Sequence, residues 1–112
     1  MGADDSKQDF KVRHTVIVRF KEGHRYSDPV QAKEIVQACL DLNQNVGKDL
    51  DGRMALTCGL DLGLPGQLKE KGQASMAIVA DFVSQEDYLK YGPHPAHQEF
   101  VKKYMVPELE II

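Results

Sequence analysis

The stretch Tyr88-Leu89-Lys90-Tyr91-Gly92-Pro93-His94-Pro95-Ala96-His97 holds the chain's densest run of side chains able to move protons. Imidazole titrates near neutral pH and a phenol donates a hydrogen bond without ionising, so a joined Tyr and His suit acid–base work. Pro93 and Pro95 hold the backbone around His94 extended, and Pro95 suits the first turn of a helix that carries His97. The positive end of the helix dipole disfavours imidazolium there, so His97 is expected to be neutral and ready to accept a proton. Tyr91, six residues back across the Gly92-Pro93 turn, can return to meet it. His97 and Tyr91 form the candidate catalytic pair. His94 is expected mainly to cap the helix, and it counts with His14 among the candidate ligand contacts. A purely structural reading stands beside this one: His94 caps, His97 packs under the loop, and the segment is a folding motif only.

Other chemistries find less support. His94 and His97 are three residues apart, but Pro95 lies between them and only Glu99 stands nearby as a further ligand, so no metal site is expected. Neither Cys39 nor Cys58 sits in a glycine-rich elbow and no G-x-S-x-G occurs, which argues against a nucleophilic enzyme. No glycine cluster cradles a phosphate or dinucleotide, and no cofactor is expected. The cysteines, 19 residues apart in apolar-patterned segments, read as free structural thiols.

Charge and hydropathy restrict partners. Fourteen Lys and Arg against seventeen Asp and Glu leave a net charge of -3, without the positive field that nucleic acid requires. No apolar run approaches the ~20 residues of a membrane span and no signal segment opens the chain, so a cytoplasmic protein without stable membrane insertion is expected. Met1-Gly2 with Ser6 has the spacing for acylation of Gly2, and a single acyl chain gives only marginal membrane binding.

These groups must be positioned by one domain, since the chain has 112 residues and 42% hydrophobic content. Residues 1–10 read as a flexible tail and 11–112 as the domain. Val12, His14, Val16, Val18 and Phe20 alternate with Arg13, Thr15, Ile17 and Arg19, the period of a half-buried strand with His14 as the one polar residue facing inward. Asp28-Pro29 opens a helix with Ile35, Val36, Cys39, Leu40 and Val46 on its buried side, stopping at Gly47. A second strand covers Arg53 to Leu60, with Met54, Leu56, Cys58 and Leu60 on one face. A long connection from Gly63 to Gly72 leads to a central strand, Ala74 to Val83.

Ser84 caps a short helix ending near Tyr91, and the helix opened by Pro95 buries Phe100, Tyr104 and Val101 before Pro107 ends it. Leu109 to Ile112 leaves room for a very short last strand. This order is the split βαβ pattern of a ferredoxin-like α+β sandwich. Helices on one side leave Ile17, Ala55, Ala77 and Val79 on the other sheet face, which a homodimer packing sheet on sheet would cover.

Val12-Arg-His14-Thr-Val16 with Phe20-Lys21, and Tyr91-x-x-His94-Pro-Ala-His97-Gln-x-Phe100, resemble the two recognisable segments of the stress-responsive dimeric A/B barrel (Dabb) family, which includes olivetolic acid cyclase. The resemblance covers Lys11 to Ile112. It implies a ferredoxin-like protomer that pairs with a second copy into a dimeric α+β barrel, with a cavity between sheet and helices for a small apolar or polyketide-like ligand. In the cyclase a Tyr and a His perform an aldol closure, and by motif position these correspond to Tyr91 and His97. The family's strand histidine corresponds to His14. Three functions follow as expectations: a ligand-binding stress-response barrel, a cofactor-free cyclase or lyase, and, by analogy with other barrels of this architecture, a cofactor-independent monooxygenase.

Overall fold

The computed structural model describes residues 9–61 and 75–110. Most of the expected tail, the Gly2 acylation motif, the Gly63 to Gly72 connection and the last two residues lie outside the described residues.

Strand β1, Val12–Val18, alternates half-buried Val12, His14, Val16 and Val18 with exposed Arg13, Thr15 and Ile17. Phe20, expected to extend the strand, instead forms a single bridge with Leu109. Helix α1, Pro29–Asn45, starts where Asp28 accepts a 3.0 Å hydrogen bond from the Gln31 N–H. That satisfies one of the donors a helix start leaves unpaired. Ile35, Cys39, Leu42 and Val46 form its buried stripe. Leu40 is not part of it: the side chain is 38% exposed, because a residue next to Cys39 turns about 100° away and Leu42 continues the stripe.

Strand β2, Met54–Leu60, and strand β3, Met76–Phe82, pair antiparallel, and β3 also pairs antiparallel with β1. The order β1-β3-β2 puts β3 in the centre, as its two-sided apolar pattern requires. The register aligns His14, Ala80 and Leu56 across the inner face and Thr15, Val79 and Thr57 across the outer one. Inner-face Met54, Leu56, Met76, Ile78, Ala80 and Phe82 bury against α1 and the later helices, each large side chain contributing roughly 2–3 kcal/mol. The outer face carries the Arg13–Asp81 ion pair at 2.9 Å and, four residues further along β1, Ile17, which is 68% exposed.

Helix α2, Gln85–Tyr91, is capped by Ser84, whose Oγ accepts from the Asp87 N–H at 3.1 Å. Helix α3, Pro95–Phe100, passes directly into a π-helical turn, Val101–Met105, and a 3₁₀ turn, Val106–Glu108. The π turn corrects the expected stripe: its wider spacing brings Met105 into the core after Phe100 and leaves Tyr104 and Val101 only half-buried. Pro107 therefore sits within the last helical turn instead of ending the helix. Leu109 bridges Phe20, and the Glu110 N–H donates to the Arg19 carbonyl at 2.9 Å, a short strand-like closure of the β1 edge. Among the described residues no helix is long and apolar enough to cross a membrane. The architecture is an α+β sandwich of the ferredoxin-like type.

Candidate functional site

Four aromatic side chains from three elements converge on the inner face of the sheet. His14 projects from β1 toward α2, its ring 5.1 Å from Tyr88 and 6.3 Å from Tyr91 between centroids. Tyr88 and Tyr91 share a face of α2 because residues three apart on a helix are neighbours, and both rings also rest on Phe82 of β3. Tyr91 is 4% exposed, and the His97 ring lies against it at 4.3 Å. The structure thus brings His14, Tyr91 and His97 into one cluster. Tyr88 joins them; the spacing of Tyr88 and Tyr91 is the sequence signal for it, but the motif alone gives it no role.

The turn between α2 and α3 sets the imidazoles. The His94 N–H donates to the Tyr91 carbonyl at 3.2 Å. The His94 Nδ1 accepts from the Ala96 N–H at 3.1 Å, which makes it the N-cap of α3. An accepting Nδ1 carries no proton, so Nε2 bears it and donates to Asp49 at 2.8 Å. Both ring nitrogens of His94 are thereby engaged within the chain. His97 is oppositely arranged: its Nδ1 lies 2.9 Å from the Gly92 carbonyl, which can only accept. Nδ1 therefore holds the proton, and Nε2 presents a lone pair. Among the described residues no hydrogen bond engages that Nε2.

Electrostatics favour the neutral ring. Burial lowers the His97 pKa below the usual imidazole range; the Gly92 bond opposes this, and His14 and His94 reinforce it. Burial likewise pushes the Tyr91 phenol above its usual range, with Cys39 and Cys58 nearby adding to the effect. Tyr91 is thus held protonated as a donor, and among the described residues its hydroxyl has no hydrogen-bonded partner. The arrangement pairs a neutral base with a protonated phenol in a desolvated setting, the requirement for moving a proton next to an oxygen that gains charge.

Among the described residues no group of three or more His, Cys, Asp and Glu gathers to hold a metal. A separate groove of about 310 Å3 runs between α1 and α3, lined in part by Asp41, Asn45, Glu99 and Lys103, and shares no residue with the aromatic cluster.

A similarity in fold to solved structures accompanies this geometry. A dimeric ferredoxin-like protein of unknown function from Thermobifida fusca is 23% identical with a TM-score of 0.65, covering 88% of this chain and 81% of that one. An Arabidopsis thaliana protein is 24% identical with a TM-score of 0.65, covering 90% and 87%. A hydroxynitrile lyase from Passiflora edulis is 27% identical with a TM-score of 0.62, covering 88% and 83%. No curated protein matches the sequence. The model of the stress-responsive A/B barrel domain matches residues 12–112, so the span holding β1, the aromatic cluster and the HPAH turn is covered throughout, and the chain belongs to that family.

Proposed function

We propose that the chain acts as a homodimeric A/B barrel with a site for a small, mainly apolar ligand bearing a carbonyl or hydroxyl oxygen, contacted by His14, Tyr88, Tyr91 and His97. The observation that carries this reading is the cluster itself: the rings of His14, Tyr88, Tyr91 and His97 lie together, and no described residue hydrogen-bonds His97 Nε2 or the Tyr91 hydroxyl. Few polar groups among aromatic walls is the usual composition of a small-molecule site. His94 serves as a positioning residue, since its cap fixes the turn that aims His97. Pairing of two sheets is supported by the exposed Ile17 face and by the dimeric Thermobifida fusca relative.

Benzaldehyde is a suitable probe. Titrated against the protein, it should shift the ring signals of His14 and His97 saturably and leave those of His24 unchanged. Equal shifts at all three, or none with benzaldehyde and an alkyl aldehyde of similar size, would remove the site.

A second reading, a cofactor-free lyase or cyclase, is favoured by the His97 tautomer and by similarity to the hydroxynitrile lyase. For a cyanohydrin, His97 Nε2 would take the hydroxyl proton as the bond from carbinol carbon to nitrile carbon breaks. The carbonyl compound forms, cyanide leaves with the bonding pair, and imidazolium returns the proton to it. Tyr91 donates a hydrogen bond to the oxygen throughout. An aldol-type polyketide closure uses the same pair, with His97 taking the proton next to a carbonyl. Cleavage of mandelonitrile above the buffer rate, read as benzaldehyde release, tests the lyase reading.

A further inference from the structure

The two cysteines meet across the interface of helix and sheet. Side chains on a helix tilt toward its N-terminus, so Cys39 covers the turn that contains Val36. On the facing strand, the Cys58 Sγ lies 3.8 Å from the Val36 carbonyl oxygen, on that same turn. Cys58 and Cys39 thus approach the same helical turn from strand and helix, and each thiol shifts the titration of the other. Both are free, Cys39 fully buried and Cys58 half-buried, so reagents reach the pair from the Cys58 side.

We propose that Cys58 and Cys39 form a peroxide-reactive dithiol that closes to an intramolecular disulfide between β2 and α1. The attacking sulfur is that of Cys58. Cys58 is the half-buried sulfur that a reagent reaches first, whereas Cys39 is fully buried and its thiol is held up by the neighbouring Cys58 and by burial. The Cys58 thiolate attacks one oxygen of hydrogen peroxide; the O–O bond breaks, hydroxide leaves and takes up a proton as water, and Cys58 becomes a sulfenic acid. The Cys39 sulfur then attacks the Cys58 sulfur, the S–O bond breaks, and a second water leaves with the Cys39 proton. Two thiols lose two electrons in total, and one peroxide gains them.

Hydrogen peroxide added to the reduced full chain provides the test. Expected are loss of both thiols to a thiol-titrating reagent after denaturation, loss of two hydrogens by intact mass, and a non-reduced tryptic fragment joining the Cys39 and Cys58 peptides. Trypsin separates these peptides at Lys48 and Arg53. Cys39→Ala should stop at a Cys58 sulfenic acid that dimedone traps, and Cys58→Ser should leave Cys39 unreacted. Two free thiols at peroxide levels that consume glutathione, or a disulfide only between copies, would overturn the proposal whatever the variants do. A Cys39→Ala protein without trappable sulfenic acid would overturn the assignment of Cys58 as the attacking sulfur.

Discussion

His97 donates its Nδ1 proton to the carbonyl of Gly92 at 2.9 Å, and this bond decides that the lone pair of the ring sits on Nε2. The acceptor belongs to the turn made by Gly92-Pro93, and the same carbonyl also accepts from the Gln98 side chain at 3.3 Å. Five residues of sequence therefore fix a tautomer that distance from β1 could not.

The lowered His97 pKa has a measurable consequence. The unfolded chain takes up a proton on this ring near the usual value of about 6.5, while the folded chain stays neutral to lower pH. The folded state is thus disfavoured progressively as pH falls below about 6.5, down to the folded pKa, and the contribution is constant above it. Ring-proton NMR should give a His97 midpoint below that of a free histidine. His97→Gln should flatten the loss of urea resistance across this window, and an equal acid loss in both proteins would contradict the assignment.

Asp87 offers the opposite sign. Its buried carboxylate holds Arg53 through two bonds, 2.9 and 3.1 Å long, and Arg53 depresses its pKa. A depressed carboxylate stabilises the fold above its unfolded pKa of about 3.9 and loses that contribution as pH falls through the folded value. Arg53→Met leaves the buried carboxylate unpaired, so it should lower the urea midpoint in the neutral range. The deficit should shrink as pH falls through the folded pKa of Asp87, below which the carboxyl is protonated in both states. A pH-independent deficit would assign the effect to packing.

What could be read from the chain, and what could not, follows from the range of the interaction. Alternation around His14, the Asp28 and Ser84 caps and the proline-bounded turn are local, and each depends on neighbours within a few residues. Met105 escaped because a π turn changes the helical period that the reading assumed. The pairing of Arg53 with Asp87 and the approach of Cys58 to the α1 turn that Cys39 covers join distant segments, and residue types do not encode which segments meet. The motif supplied Tyr91 and His97 together, but the state of each His97 nitrogen came only from the Gly92 contact.

The outer sheet face gives a prediction about assembly. Ile17 is paired in register with Ala77, and the neighbouring pairs are Thr15 with Val79 and Arg13 with Asp81. Light scattering should give twice the protomer mass of 12.6 kDa. Ile17→Asp places an unpaired charge on the exposed apolar side chain of that face and should shift the species to one protomer at micromolar concentration. A wild-type mass of one protomer, independent of concentration, would remove the dimer.

His94 should separate positioning from binding. His94→Ala removes the cap of α3 and the bond to Asp49, and loss of a cap alone costs about 1 kcal/mol. His94→Asn can still accept from the Ala96 N–H, so it should recover most of that loss. Benzaldehyde affinity should then follow stability in the two variants. A His94→Asn protein of restored stability that no longer binds would make His94 a direct ligand contact instead.

The last prediction concerns turnover. Where the lyase reading holds, His97→Ala removes the only ring nitrogen of the cluster shown to be deprotonated by its hydrogen bonding, and should slow mandelonitrile cleavage about a hundredfold or more. Tyr91→Phe keeps the buried ring against His97 but removes the donor to the oxygen, so it should also depress the rate while preserving the fold. The acid limb of the wild-type profile should have its midpoint below about 6.5, because the active base is the neutral ring whose pKa burial lowers. A His14→Phe protein should keep that midpoint low, since burial is the leading cause of the shift and His14 only reinforces it. If His97→Ala cleaves the cyanohydrin at the wild-type rate, the base lies elsewhere and the turn serves the fold alone.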